Sequence, residues 1–171
     1  MIYRKFHAYL LLFLFALFAS LDARAETVDK EGIITLEWQD LIPLQERNRV
    51  PTPRPSAINH DSDTPPQQKL GGVRQDLDGK KVRMPGFVIP LEGDNNVVTE
   101  FLLVPYFGAC IHVPPPPPNQ IVDVRFVEGA PIKELWQTVY VVGILKTETV
   151  NHELGETAYV IDGIRIEPYK E

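Results

Sequence analysis

The single cysteine of this chain, Cys110, stands two residues before His112 in the run Gly108-Ala109-Cys110-Ile111-His112-Val113-Pro114-Pro115-Pro116-Pro117-Pro118-Asn119-Gln120. Cysteine and histidine are the side chains that best bind soft and borderline metals, and they also make the commonest thiol–base pair. On an extended backbone, residues i and i+2 project from one face roughly 6–7 Å apart. Two ligands of one ion sit closer than that, so a metal at Cys110 and His112 requires a bend. The five prolines that follow have no backbone donors and hold a polyproline II path, which can impose it. Two ligands do not close a tetrahedral zinc site, whereas Cu(I) accepts a low-coordinate thiolate–imidazole pair, so zinc and copper both stay open. Asn119 and Gln120 offer weak oxygen donors, and His152 belongs to a loop distant in sequence.

Three other readings compete with the metal. Cys110 can be a nucleophile with His112 as its base, but no third group orients the imidazole and no oxyanion donors are evident. A lone cysteine also provides no dithiol pair. The strip from Pro114 through Pro115, Pro116 and Pro117 to Pro118 can serve as a stiff ligand for a partner's aromatic groove. It can equally be an internal strap that packs near Tyr106 and Trp136. The plainest alternative buries Cys110 as a small apolar residue, with His112 bonded to the turn.

The elements that must position these residues are β-strands. Lys81 to Leu91 alternates, with Val82 and Met84 on one face; after Pro85-Gly86 the apolar phase moves to Phe87, Ile89 and Leu91, as at a bulge. Phe101 to Tyr106 reads as a buried strand. Ile121 to Val127 places Val122, Val124 and Phe126 inward against Asp123 and Arg125. Pro131 to Trp136 predicts a short helix. Thr138 to Thr147 and Ala158 to Pro168 complete the set, joined by a polar loop through Asn151, His152 and Gly155. In the last strand, the phase of Tyr159 and Ile161 shifts at Asp162-Gly163 to that of Ile164 and Ile166. Five curved strands with a short helix between the third and fourth predict a mainly β chain, a small OB-like Greek-key barrel. A β-sandwich is the alternative.

The ends and the composition set the context. Arg4 and Lys5, the apolar run Ala8 to Ala19 and Ala23-Arg24-Ala25 predict a signal peptide over residues 1–25, cut after Ala25. The run is 12 residues long, short of the roughly 20 that span a bilayer, so no membrane insertion is expected after cleavage. Removing Arg4, Lys5, Arg24 and Asp22 moves the net charge from −6 to −8. An exported acidic chain is a poor match for nucleic acid or anionic lipid. A strand and lead-in is expected over 26–44, a proline-rich polar loop, partly disordered, over 45–72, and the OB-like domain over 73–171.

At several of these residues the chain resembles a bacterial family known as domain-of-unknown-function family 3299. The pieces are Trp38-Gln39-Asp40-Leu41-Ile42-Pro43, Leu77-Asp78-Gly79-Lys80-Lys81-Val82, Gly86-Phe87-Val88-Ile89-Pro90-Leu91-Glu92, Phe101-Leu102-Leu103-Val104-Pro105-Tyr106 and Gly108 through Val122. The resemblance implies a small exported protein, often encoded near an ABC-type transporter and periplasmic proteins of zinc-responsive systems. It implies no established activity. By the family pattern Glu92 is the best-placed third metal donor beside Cys110 and His112, since its strand should neighbour that of Phe101. The expectation is therefore a periplasmic accessory protein, not an enzyme, that binds zinc or copper. Its partners would be periplasmic or inner-membrane transport components. The alternatives are a metal-free interaction module built on the proline strip and, less favoured, a cysteine-dependent enzyme or redox thiol protein.

Overall fold

A computed structural model describes residues 27–47, 67, 71–94, 96–109, 115–131 and 138–169. Nine strands run through them: β1 (Thr27–Val28), β2 (Ile34–Thr35), β3 (Lys81–Gly93), β4 (Val97–Val104), β5 (Val122–Pro131), β6 (Thr138–Lys146), β7 (Val150–His152), β8 (Gly155–Thr157) and β9 (Tyr159–Pro168). Five of them close a barrel in the order β3-β4-β5-β9-β6, with β6 returning to β3. All its pairs are antiparallel except β5–β9. This is the five-stranded OB-type barrel that the strand count and spacing predicted. The predicted helix falls largely on residues 132–137, outside the described residues, and Pro131 itself ends β5. The signal peptide expected over residues 1–25 also falls outside them. No helix among the described residues is long and apolar enough to cross a membrane.

Closure follows from the length of β3. Its first half pairs β6 from Lys81 to Phe87, and its second half pairs β4 from Phe87 to Gly93. A strand that changes partner midway must coil strongly. The apolar phase change expected at Pro85-Gly86 is not a bulge. The β3–β6 register runs unbroken through both residues, and the irregularities lie later, around Glu92. Val82, Met84 and Val88 face one interior core, while Phe87, Ile89 and Leu91 belong to a second cluster outside the barrel with Leu102, Val104, Ala109 and Ile121. Both faces of β3 and β4 are covered, which blurs the period-2 signal. Gly86 is needed for a different reason: a Cβ there would lie 2.6 Å from Leu103 Cγ.

The second predicted shift is real. Val142 pairs Arg165 and Gly143 pairs Gly163, which leaves Ile164 as an extra, half-exposed residue of β9. Gly163 itself faces the Phe126 ring, which a Cβ would approach to 2.4 Å. The lead-in differs from the one strand expected within residues 26–44. Ile34–Thr35 adds parallel to β3, and Trp38–Leu41 turns into a 3-10 helix where Glu37 N–H bonds Asp40 Oδ2 at 2.8 Å. That turn drives Leu41, and the preceding bend Leu36, fully into the barrel core. Among the described residues, sixteen buried Val, Leu, Ile, Met and Phe side chains lie in that core, and at roughly 1.5–3 kcal/mol each they make it the main source of stability.

Candidate functional site

The outer face of β4–β5 is the surface that OB barrels offer to ligands, together with the loop between their last two strands. Here that loop is the β7–β8 hairpin. Because Val122, Val124 and Phe126 face inward, Asp123 and Arg125 must face outward. Outward does not mean into water at Asp123, whose side chain is fully buried. Its strand partners are Leu102 on β4 and Val160 on β9, both buried and apolar. The hairpin lies over it, held by Leu154 against the second cluster. Gln67 clips it further: its amide donates to Pro116 O and Glu156 O, and its carbonyl accepts from Glu156 N–H.

This cover brings His152 of β7 and Glu100 of β4 to Asp123. One donor atom from each of the three lies within 4.8 Å of the other two. Arg125 donates from Nη2 to Asp123 Oδ2 at 2.6 Å, and its Nε stands 3.4 Å from Glu100 Oε1. His152 Nε2 is 3.4 Å from Asp123 Oδ2, yet makes no hydrogen bond. Asp123 Oδ1 is buried with no hydrogen-bond partner either, as is Thr157 Oγ1 on β8. Burial pushes the Asp123 carboxyl up; Arg125 and His152 pull it down and Glu100 pushes it up, and the balance is a raised pKa. Burial pulls the Arg125 guanidinium down, but Asp123 and Glu100 outweigh that and raise it. Two carboxylates and an imidazole, converging with spare lone pairs, are a donor set for a divalent cation.

A family model described as "Protein of unknown function (DUF3299)" matches residues 38–168. The chain belongs to this family. A crystal structure at 2.45 Å of a DUF3299 family protein from Pseudomonas aeruginosa PAO1 is similar to it, with 38% identity and a TM-score of 0.67. The match covers 81% of this chain and 97% of that one. No curated protein matches the chain.

The residues singled out in this DUF3299 chain fall in different places. Cys110, His112 and Pro114 lie outside the described residues, as does Trp136. Glu92 lies one residue before the end of β3, opposite Glu100, as the neighbouring of the two strands required, but it is exposed and not among the three converging donors. Pro116 and Pro118 are buried and Pro115 and Pro117 half-buried. Pro118 O accepts from Ala158 N–H at 2.9 Å, so this stretch is a strap that holds the start of β9. The exposed strip that a partner's groove would need is not what these four prolines present. Asn119 is buried and donates to Gly72 O, and Gln120 donates to Trp38 O, so both tie the strap to the lead-in. Tyr106, expected against the prolines, is half exposed.

Sequence reasoning missed Glu100 and Asp123 and passed over His152. Alternation places Asp123 outward but does not say whether the outward face is covered. The one signal available was an acidic residue set between Val122 and Val124 on a strand whose far face is also flanked by apolar runs. Nothing local in the sequence says that the Asn151–Gly155 loop folds back over that strand.

Proposed function

We propose that this protein is an exported barrel protein that binds a divalent metal ion on Glu100, Asp123 and His152, as an accessory component of a periplasmic transport system. The observation that carries the reading is Asp123: a fully buried carboxylate with an unpartnered oxygen, beside a buried imidazole nitrogen that is also unpartnered. Such groups cost stability unless something satisfies them, and a metal would satisfy both at once. Tetrahedral zinc wants donors roughly 3.3 Å apart, so donors already within 4.8 Å need only a small closure. Oxygen and imidazole donors favour zinc over Cu(I), which prefers thiolate. A site of three side chains, one of them pulled from a hairpin, suits reversible loading better than a permanent structural ion. The location rests on the export signal read at residues 1–25, and the transport role and its inner-membrane partners rest on the family resemblance.

The test is elemental analysis followed by zinc and Cu(I) titration of the reduced protein without a histidine tag. Stoichiometric zinc is expected. Asp123→Asn and His152→Ala should each weaken it by more than the roughly 10–100-fold typical of losing a supporting partner. Cys110→Ala and Glu92→Gln should leave it within about twofold, as groups outside the donor set. Loss in Cys110→Ala and His112→Ala, with Asp123→Asn unchanged, would move the metal to the cysteine run. A wild-type protein that binds neither ion would sink the reading.

A further inference from the structure

We infer, on the reading that Glu100, Asp123 and His152 hold a divalent metal, that Arg125 is the resident cation of this site and withdraws from it when the metal arrives. Arg125 already engages two of the three donors, Asp123 Oδ2 at 2.6 Å and Glu100 Oε1 at 3.4 Å. A metal among donors that all lie within 4.8 Å of one another would sit within about 4 Å of the guanidinium. At that separation like charges repel strongly in partly buried surroundings. Charge counting points the same way. Glu100, Asp123 and Arg125 together carry one net negative charge, a divalent ion added to them gives one net positive, and withdrawal of Arg125 restores neutrality.

The geometry provides the exit. The Asp123 side chain is fully covered and that of His152 is 14% exposed, whereas that of Arg125 is 40% exposed. The two covered donors are held by the sheet and the hairpin, while Arg125 reaches the site from the rim on a long flexible stem. Asp162 is its partner across the β5–β9 ladder and is half exposed, so a carboxylate is available to the withdrawn guanidinium beside Lys146. The contact that remains open throughout is Asp123 Oδ1, the oxygen Arg125 does not use. A metal can therefore enter on Oδ1 and His152 Nε2 before Arg125 leaves Oδ2. Exchange of this kind sets a lower affinity than the three ligands alone would give. That suits a protein that must also give the ion up.

The test is zinc titration of the full chain by chelator competition, comparing wild type with Arg125→Gln and Arg125→Lys, and the Arg125 Nε–H signal followed by NMR. Arg125→Gln is expected to bind zinc at least tenfold more tightly, with Arg125→Lys between it and wild type. The wild-type Nε–H signal should be protected without zinc and lose protection as one equivalent is added. Wild-type binding with Arg125→Gln equal or weaker, and the Nε–H signal unmoved, overturns the exchange while leaving the metal site standing. No zinc bound by wild type or by either variant overturns both. Should Arg125→Gln fail to fold by thermal melt, Arg125→Lys and the NMR signal decide the matter.

Discussion

Tyr159 and Asp123 are both fully buried polar side chains on the same barrel, and their surroundings treat them in opposite ways. Tyr159 Oη donates to Leu41 O at 2.8 Å and accepts from Arg74 N–H at 2.6 Å. It joins β9 to the turn that plugs the barrel and to the segment before β3, and its hydroxyl has a partner in both directions. Asp123 has one oxygen against Arg125 and one against nothing, beside an imidazole nitrogen in the same condition. Folded proteins satisfy nearly all buried polar atoms, so a satisfied one reads as architecture and an unsatisfied pair asks for a ligand. The surface repeats the contrast. Glu167 accepts from Arg83 and Arg165, both at 2.8 Å, and Arg83 lies 3.4 Å from the centre of the Tyr140 ring. That charged cluster is complete in itself.

The comparison is broken most directly at Tyr159. Tyr159→Phe removes one hydroxyl, strands the Leu41 C=O in a buried place and takes its short bond from Arg74 N–H. A buried group left unpaired costs roughly 1–3 kcal/mol, so a loss of about 1–3 kcal/mol is expected in urea denaturation. A loss under about 0.5 kcal/mol, the range of ordinary surface substitutions, would mean that the hydroxyl is not a tether. Burial raises the Tyr159 hydroxyl pKa further above its ordinary value, so the bond stays protonated through the neutral range.

Asp123→Leu should move stability the other way. The ionised carboxylate is disfavoured by burial, its strand neighbours Leu102 and Val160 are apolar, and Arg125 has Glu100 and water to turn to. Removing one member of a buried ion pair is costly where the other is left buried and unpaired. Arg125 is 40% exposed and keeps Glu100, so relief of the buried carboxylate dominates. A gain of about 1–2 kcal/mol is therefore expected in the metal-free protein. A chain this size would then melt a few degrees higher. Zinc binding should be lost in the same variant, so that the site trades stability for function. A clear drop in melting temperature would make Asp123 a structural partner of Arg125 and remove the contrast with Tyr159.

The contrast also marks what the sequence could carry. The barrel was legible because its signals are local: period-2 alternation in β5, the glycine-linked shift at Gly163, and five strands in OB order. The Gly86 shift misled because β3 is covered on both faces, and alternation cannot distinguish a bulge from a second apolar cluster. The site was largely illegible. Glu100, Asp123 and His152 come from three strands, and they meet only because β5 pairs β4 while the β7–β8 hairpin is pinned by Gln67 and Leu154. Leu154 and Gln67 are 87 positions apart in a chain whose cysteine–histidine–proline run drew attention elsewhere. The proline run turns out to serve the same end, since Pro116 O is one of the acceptors that fix Gln67. The prolines of that motif supply part of the frame that holds the hairpin over the site.

Glu167→Gln tests the surface side of the comparison and should have the smallest effect. Its hydrogen bond to Arg83 is the main cause holding the Glu167 carboxyl below its ordinary value of 4.5; burial opposes this and Arg165 adds to it. A carboxylate favoured in the folded state contributes stability that is fully present above the unfolded value. That contribution is lost as pH falls through the lowered folded value. The wild type should therefore exceed Glu167→Gln by about 1 kcal/mol near pH 7, the upper end for exposed pairs and reasonable for a two-arginine network. The gap should shrink progressively below pH 4.5, and high salt at pH 7 should shrink it too, because exposed pairs are screened. Denaturant midpoints at pH 7 and pH 3.5, with and without salt, measure this directly. Zinc affinity at neutral pH should be the same in both proteins, because this cluster has no unpartnered donor to offer an ion. A change in zinc affinity on breaking this complete cluster would show that the two regions are coupled through the barrel, and that satisfaction of hydrogen bonds does not separate frame from site here.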